Sequence, residues 1–362
     1  MSGPTETEAD APPVSSTAGA STGERDEAAA EVALPPIGWA SNHAVGSVGG
    51  LGESLGRMLV SQLSPRLGPV HAFRTEWQRG GALTGYAKWS GDGGTTSVDV
   101  VVKVPVPPCE VFWLTALQDA GVEGAGLVPR VYASGEAVGG YDLAWVVMEK
   151  IEHGPINGPW GGAGVDLLIE ALAAFHASAE PTSATHGKPV ERNWSAMIER
   201  SRQVVSDGGL PEAQRWKGAL KKAKKRVAQW QAAWDGRSVS GWCHGDFHAA
   251  NVMSRAAAPG GPGVLIDFAQ TRPGHWLEDA VYYEHQHWAT PDRLEGRQPS
   301  KRLAEMRRAA GQAVDGQWAE LAAALRAYFA IAAPQTLGRR HGEAHLAAAL
   351  GVLERVAAGQ TQ

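Results

Sequence analysis

The 362-residue sequence has only two cysteines, Cys109 and Cys243, which form neither a CxxC pair nor a metal-ligand spacing. It also lacks an apolar run long enough to span a membrane and a basic start followed by an apolar stretch. We therefore expect no membrane association and no secretory signal, and a reduced cytoplasmic compartment fits the cysteine usage. There is no internal repeat, so repeat architectures are excluded.

An excess of positive charge is also missing, since the net charge is −5. This balance argues against a general nucleic-acid-binding protein. Residues 1–36 hold seven acidic residues and a single arginine, which gives this segment a charge of −6 by count. The segment is rich in Ala, Ser, Thr, Pro, Gly and Glu and has almost no large apolar side chain. We expect it to be a disordered acidic tail, because it cannot bury enough surface to offset its ordering entropy.

The rest of the chain changes character near residue 150. Glycines punctuate residues 72–98, and the β-branched run Ser97–Val104 predicts a buried strand, as does Trp145–Glu149. A helix is predicted from about Pro108 to Ala120, where the prolines suit a helix start. The sequence thus indicates a strand-rich N-terminal lobe over residues 37–150.

Helical patterns dominate after that point. They cover Asp166–Ala177, Arg215–Trp234 and most of the chain beyond Leu277, with short strands around Trp242 and Leu265. Residues 151–362 are therefore predicted to form a mainly helical C-terminal lobe. Together the two parts give an α+β fold with two lobes.

The stretch Trp242–Met253 reads WCHGDFHAANVM, and Val264–Phe268 follows it with VLIDF. Phosphoryl transfer requires a carboxylate that orients the attacking hydroxyl, and further oxygen ligands that hold magnesium on the nucleotide phosphates. Protein kinases use an Asp, an Asn five positions later, and the Asp of a DFG motif. Asp246, Asn251 and Asp267 match that order and spacing.

HGDFHAAN followed by LIDF resembles the HGDxHxxN and DF signature of the aminoglycoside phosphotransferase and choline kinase family. The resemblance covers about residues 72–330. It implies a protein-kinase-like fold and an ATP- or GTP-dependent, Mg²⁺-dependent kinase that phosphorylates a hydroxyl of a small molecule. It also implies that Asp246 is the catalytic base or hydroxyl-orienting carboxylate, and that Asn251 and Asp267 bind magnesium.

The resemblance assigns four further residues to the catalytic loop or its support. His244 is expected to hold the loop by hydrogen bonding, and His248 to support it or to lie near the substrate. Gly245 supplies a position where a side chain would obstruct the loop. Asp279, in the GHWLEDAVYYEH segment, resembles a later family Asp that braces the loop from a helix, although it is also compatible with a simple helix-start carboxylate.

The nucleotide side has a weaker pattern. Lys103 lies in an apolar strand, where an unpaired ammonium is costly, so we expect it to pair with Glu110 and contact phosphates. The seven-residue spacing of this pair is shorter than the family pattern leads us to expect. Met148 and Glu149 in WVVMEK resemble the segment that meets the adenine base. In RGGALTGYAKW, residues Gly80, Gly81, Thr84 and Gly85 either cover the phosphates or form a plain hairpin turn.

Three other interpretations have to be considered. The string formed by His244, Asp246 and His248 is compatible with a zinc or iron site, but that leaves Asn251 and the LIDF motif unexplained. An atypical protein kinase would keep the fold, yet Asp279 lies only 12 positions after Asp267, which leaves little room for an activation loop. A nucleotide-binding module without catalysis is the third alternative. The acceptor is expected to be a sugar, an amino alcohol or an aminoglycoside-like compound. The resemblance alone suggests an aminoglycoside, whereas the near-neutral charge of residues 277–328 favours an acceptor with at most one positive charge, such as a sugar or an amino alcohol. The oligomeric state is not indicated.

Overall fold

The computed structural model describes residues 50–73, 83–91, 96–122, 125–156, 161–182, 187–258, 260–337 and 342–360. The predicted disordered tail, residues 1–36, and the glycines Gly80 and Gly81 lie outside these residues. Among the described residues, the strands are β1 (His71–Phe73), β2 (Leu83–Ser90), β3 (Ser97–Val104), β4 (Gly121–Val122), β5 (Ala125–Gly126), β6 (Val131–Gly135), β7 (Trp145–Glu149), β8 (Gly241–Cys243), β9 (Val252–Ser254), β10 (Gly263–Leu265) and β11 (Arg272–Gly274). The helices are α1 (Gly50–Leu63), α2 (Pro108–Ala116), α3 (Gly161–Ala179), α4 (Trp194–Ser206), α5 (Ala213–Lys224), α6 (Val227–Asp235), α7 (Leu277–Gln286), α8 (Pro299–Ala309), α9 (Trp318–Thr336) and α10 (Glu343–Ala357).

The N-terminal region is built on an antiparallel sheet with strand order β1-β2-β3-β7-β6. Alternation along β3 buries Val100, Val102 and Val104 completely on one face, as a pleated strand requires. Helix α1 covers that face with Leu55 and Leu59, which join the same apolar cluster. The opposite face of β3 carries Lys103.

Two predicted helices differ from the observed ones. Helix α2 ends at Ala116 rather than near Ala120, because the backbone N–H groups of Gln118 and Ala120 bond to carbonyls only three residues back. The predicted helix over Arg215–Trp234 is two helices, α5 and α6. Similar tight bonds end α5, and the Arg226 guanidinium donates to the Val356 carbonyl at 2.6 Å, which fixes the break against α10.

The C-terminal region is mainly helical, with α9 packed on α4, α6, α7 and α10. In the described part of the chain, α3 is the one helix whose length and apolar composition would suit a membrane span, but 56% of its most apolar 18-residue stretch is buried inside the protein. It packs against β8, β10 and α8, and His176 near its end bonds to Asp279 of α7. These contacts are those of a core helix. The architecture is an α+β, protein-kinase-like fold, as the sequence predicted.

Candidate active site

The loop after β8 is held by one carboxylate of α7. Asp279 accepts hydrogen bonds from the backbone N–H groups of His244, at 2.8 Å, and Gly245, at 2.9 Å. His176 of α3 donates to the same carboxylate at 3.1 Å. Burial alone would raise the pKa of Asp279, but the His176 hydrogen bond and these loop contacts hold that pKa below its ordinary value. The ionised carboxylate thus ties the loop to two helices.

Gly245 and His244 shape the loop from inside. Gly245 has φ +85°, and a Cβ there would overlap the Gln270 carbonyl oxygen. Both the backbone conformation and the lack of space therefore exclude a side chain at this position. His244 is fully buried and donates from Nε2 to the Ile266 carbonyl at 3.0 Å. Burial lowers the pKa of His244, so its imidazole is neutral at neutral pH. The ring therefore links the loop to the segment before Asp267.

Asp246 lies at the tip of this loop with both carboxylate oxygens near other polar groups. The Tyr282 hydroxyl donates to Oδ1 at 3.0 Å, and the His248 Nε2 lies 3.6 Å from Oδ2. Burial would raise the pKa of Asp246, but the His248 and Tyr282 interactions outweigh it and lower that pKa. The carboxylate is ionised at neutral pH and can accept a hydrogen bond from an approaching hydroxyl group.

Asn251 and Asp267 bring oxygen atoms to the same region. Asn251 donates from Nδ2 to the Asp246 carbonyl at 2.9 Å, and its Oδ1 has no hydrogen bond to any described residue. Asp267 follows β10 in a left-handed backbone conformation, φ +65°, which costs about 1–3 kcal/mol for a residue other than glycine. Its carboxylate has no hydrogen bond or ion pair with a described residue. Strain retained at an acid without a protein partner is typical of a functional position.

The N-terminal sheet contributes a buried ion pair. The Lys103 Nζ lies 2.6 Å from the Glu110 Oε1, and the two side chains are 21% and 3% exposed. Burial lowers the pKa of Lys103, but the charges of Glu110 and Asp267 outweigh burial and raise it. The two side chains meet despite their short spacing in sequence, because α2 begins soon after β3 ends. Cys109, next to Glu110, donates to the Ala269 carbonyl at 3.4 Å. This contact joins α2 to the segment that follows Asp267.

The side chains of Met148 and Glu149, which were predicted to lie near an adenine base, both have other contacts in the protein. Met148 is buried in the sheet, and the Glu149 carboxylate accepts hydrogen bonds from Arg255 at 2.9 and 2.7 Å. Burial would raise the pKa of Glu149, but Arg255 and the Arg130 N–H lower it. Glu149 therefore links the sheet to the turn after β9, and its side chain is committed to that link.

Thr84 and Gly85, the described part of the predicted glycine-rich loop, lie within β2, where Thr84 is opposite Lys103. A Cβ at Gly85 would approach the Val70 side chain to 2.6 Å, so glycine is required there by the close approach of the segment before β1. Across the residues described, no group of three or more His, Cys, Asp or Glu side chains is arranged to hold a metal ion.

Sequence reasoning missed Tyr282, His176 and Arg255. Tyr282 is three residues after Asp279, one helical turn away, and this spacing was a usable signal once α7 was recognised. His176 and Arg255 gave no comparable signal, because their partners Asp279 and Glu149 are more than 100 positions away in sequence.

A model of the phosphotransferase enzyme family matches residues 86–323. These residues include more than half of the chain, from before Lys103 to beyond Tyr282, so the chain belongs to this family. No curated protein sequence matches the chain significantly.

Solved structures share the fold at low sequence identity. An aminoglycoside phosphotransferase from Alicyclobacillus acidocaldarius is 16% identical, with a TM-score of 0.52, over 82% of this chain and 95% of that one. The GDP complex of aminoglycoside 2'-phosphotransferase-IIIa is 15% identical, with a TM-score of 0.50, over 84% and 97% of the two chains. At this identity the likeness establishes the fold alone.

Proposed function

We propose that this protein transfers the γ-phosphoryl group of ATP or GTP to a hydroxyl group of a small molecule. One observation supports this most directly: Asp246, Asn251 and Asp267 are grouped on one loop system, with the Lys103–Glu110 ion pair close to Asp267. Phosphoryl transfer depends mainly on positioning and electrostatic stabilisation. The grouping has the parts that this chemistry needs.

In the proposed reaction Asp246 accepts a hydrogen bond from the acceptor hydroxyl and aims its oxygen at the γ-phosphorus. The oxygen–phosphorus bond forms as the bond to the nucleoside diphosphate breaks, and the hydroxyl proton leaves toward the Asp246 carboxylate. The lowered pKa of Asp246 keeps this carboxylate ionised, which favours orientation of the hydroxyl over early proton removal. Lys103 would contact the nucleotide phosphates, held in place by Glu110.

Magnesium fits the donors that are present. Mg²⁺ takes oxygen ligands and is usually bound through one or two carboxylates together with substrate phosphates and water. Asp267 offers a carboxylate without a described partner, and Asn251 offers a free amide oxygen, so these two residues would hold the ion. When bound, it would neutralise negative charge on the phosphates.

The nucleotide is proposed to be a purine nucleoside triphosphate. The GDP complex of aminoglycoside 2'-phosphotransferase-IIIa, which has a similar fold, is compatible with this. The backbone near Met148 would meet the base, since the Glu149 side chain is occupied by Arg255.

For the acceptor we propose a hydroxyl compound with at most one positive charge. A polycationic antibiotic requires several free carboxylates. Within residues 277–328, most acids already have partners in the protein: Glu278, Asp279, Glu284, Glu295, Glu305 and Asp315. The aromatic side chains of this region suit a sugar ring or an amino alcohol better than an array of ammonium groups.

The test is ADP or GDP release measured with a panel of sugars, amino alcohols and aminoglycosides. Asp246→Asn is expected to lower kcat by roughly 10²–10⁴-fold while nucleotide binding persists, because the orienting carboxylate is lost. Asp142→Asn, at an exposed position between β6 and β7, is the matched control and should keep wild-type rates.

Three outcomes would count against the proposal. If the protein binds nucleotide but no acceptor stimulates turnover, it is a nucleotide-binding module. A variant Asp246→Asn with wild-type kcat would remove Asp246 from the chemistry. Phosphorylation of kanamycin-type polyamines far more efficiently than any sugar or amino alcohol would overturn the acceptor class.

A further inference from the structure

A second cluster of buried charge surrounds Glu278, one residue before the loop-bracing Asp279. Its carboxylate accepts hydrogen bonds from Arg192 at 2.9 Å and Arg272 at 3.1 Å, and the Arg237 Nη2 lies 3.6 Å away. The Glu278 side chain is 2% exposed, and those of Arg192 and Arg237 are 7% and 6% exposed. Three permanent cations thus share one carboxylate in the interior.

The positive excess is confined to the buried groups, since the nearby acids Glu191 and Asp235 are exposed. Even when Asp279 is counted, the guanidinium groups outnumber the buried acids. Burial would raise the pKa of Glu278, yet the charges of Arg192 and Arg272 lower it. Burial lowers the pKa of Arg237, as does the charge of Arg192, although Glu278 acts in the opposite direction. Buried cations without matching anions are costly.

Aromatic rings take up part of the excess. The Arg192 guanidinium lies 4.9 Å from the centre of the Tyr328 ring and 5.5 Å from that of Trp234, and Arg237 lies 4.2 Å from the centre of the Trp234 ring. Ring faces attract cations but carry no net charge. The Nε atoms of Arg192 and Arg237 are buried without a hydrogen-bond partner in the described part of the chain. Arg192 Nη1 likewise has no hydrogen bond to a described residue.

A cleft of about 510 Å³ opens beside these two arginines. Arg192 and Arg237 line it, together with Asn193 and Ser195 at the N-terminus of α4. At the start of this 13-residue helix the N–H groups of Trp194, Ala196 and Met197 are bonded to Arg192 and Asn193, which leaves the Ser195 N–H to face an anion. No residue of the Asp246 loop lines this cleft, so it is separate from the candidate active site.

We propose that this cleft binds a small dianionic oxyanion, a phosphate group or a dicarboxylate, with Arg192 and Arg237 as its cationic contacts. The inference is independent of the proposed phosphotransfer. Two exposed acids, Glu191 and Asp235, also line the cleft. Because they repel an anion, they limit affinity, and binding should be in the millimolar range rather than tight.

The experiment is isothermal titration of the full-length protein with inorganic phosphate and, separately, with succinate, at low ionic strength. We expect one site for at least one probe, and which probe binds more tightly identifies the group. Arg237→Gln and Arg192→Gln should each weaken binding about tenfold, the loss of one hydrogen bond to a charged group. Arg202→Gln, on the exposed face of α4, is the matched control and should bind as wild type does.

Two further variants keep the test decisive if an arginine variant fails to fold. Asp235→Asn alters an exposed acid with no contact to Glu278 and should tighten binding about twofold to threefold, because it removes a repulsive charge. Lys103→Ala should leave this binding unchanged, which separates the cleft from a nucleotide phosphate site. The proposal is overturned if neither probe binds at millimolar concentration. It is also overturned if binding depends on Lys103 and not on Asp235.

Discussion

Lys103 lies within electrostatic range of two carboxylates, those of Glu110 and Asp267, whereas Glu278 is surrounded by three guanidinium groups. The first cluster has a negative excess, and its unpartnered member, Asp267, is in a strained backbone conformation. The buried groups of the second have a positive excess, and the open cleft beside them is also lined by the exposed acids Glu191 and Asp235. Since an isolated buried charge is costly, each imbalance indicates the sign of what is needed to complete it. The first cluster suits a metal cation with a nucleotide, and the second suits an anion.

The two clusters also differ in their relation to the fold. Lys103 of β3 and Glu110 of α2 are only seven positions apart, so this ion pair joins two elements that are adjacent in sequence. Glu278 of α7 joins β11 to the segments before α4 and after α6, so this cluster connects parts of the chain that are distant in sequence. We therefore expect changes in the first cluster to act mainly on activity and changes in the second to act mainly on stability.

The largest expected effect is on the second cluster. Glu278→Gln leaves three buried guanidinium groups without their carboxylate and should lower the free energy of unfolding by about 3–5 kcal/mol. Urea denaturation measures this, with the exposed Glu199→Gln as a control that should change little. Added phosphate should restore part of the lost stability if the cleft binds an anion. A Glu278→Gln variant as stable as wild type would mean that the arginines are compensated by solvent.

The first cluster should show energetic coupling rather than instability. Lys103→Ala and Glu110→Ala should each lower kcat/KM, and the double variant should lose less than the sum, with a coupling energy of about 0.5–3 kcal/mol. The reason is that either partner alone fails to hold the ammonium in place. Additive effects would show that the ion pair is not maintained during turnover.

The smallest effect is expected at the hydroxyl that contacts Asp246. Tyr282→Phe removes a hydrogen bond that lowers the pKa of the carboxylate, so that pKa should rise and the acidic limb of the kcat/KM profile should move to higher pH. The rate at neutral pH should fall several-fold, as expected for about 1 kcal/mol. Tyr283→Phe is the matched control, because its ring packs on Phe247 without reaching Asp246.

A direct readout of Asp246 makes this prediction independent of substrate identity. Carbon-13 NMR titration of the carboxyl group, assigned with Asp246→Asn, should give a higher pKa in Tyr282→Phe than in wild type. An unchanged titration would show that the hydroxyl does not bond to Asp246 in solution.

Much of the architecture followed from local patterns. The β-branched run of β3 and the apolar run of β7 gave both strands with their observed bounds, because alternation and burial are local consequences of a pleated strand. The Asp246 and Asn251 spacing, with Asp267 after an apolar strand, predicted which residues the candidate site contains. The break between α5 and α6 was not predictable, because Arg226 is held there by a carbonyl 130 residues away.

The sequence by itself determined the fold class, the family resemblance and the residues around Asp246, since these depend on short spacings and on periodicity. Only the tertiary structure decided that Tyr282 contacts Asp246, that Glu149 is bound by Arg255, and that three arginines share Glu278. The physical reason is that the charge balance of a buried cluster depends on which distant segments pack together. Arg192 and Glu278 are 86 positions apart, and no local pattern brings them to 2.9 Å.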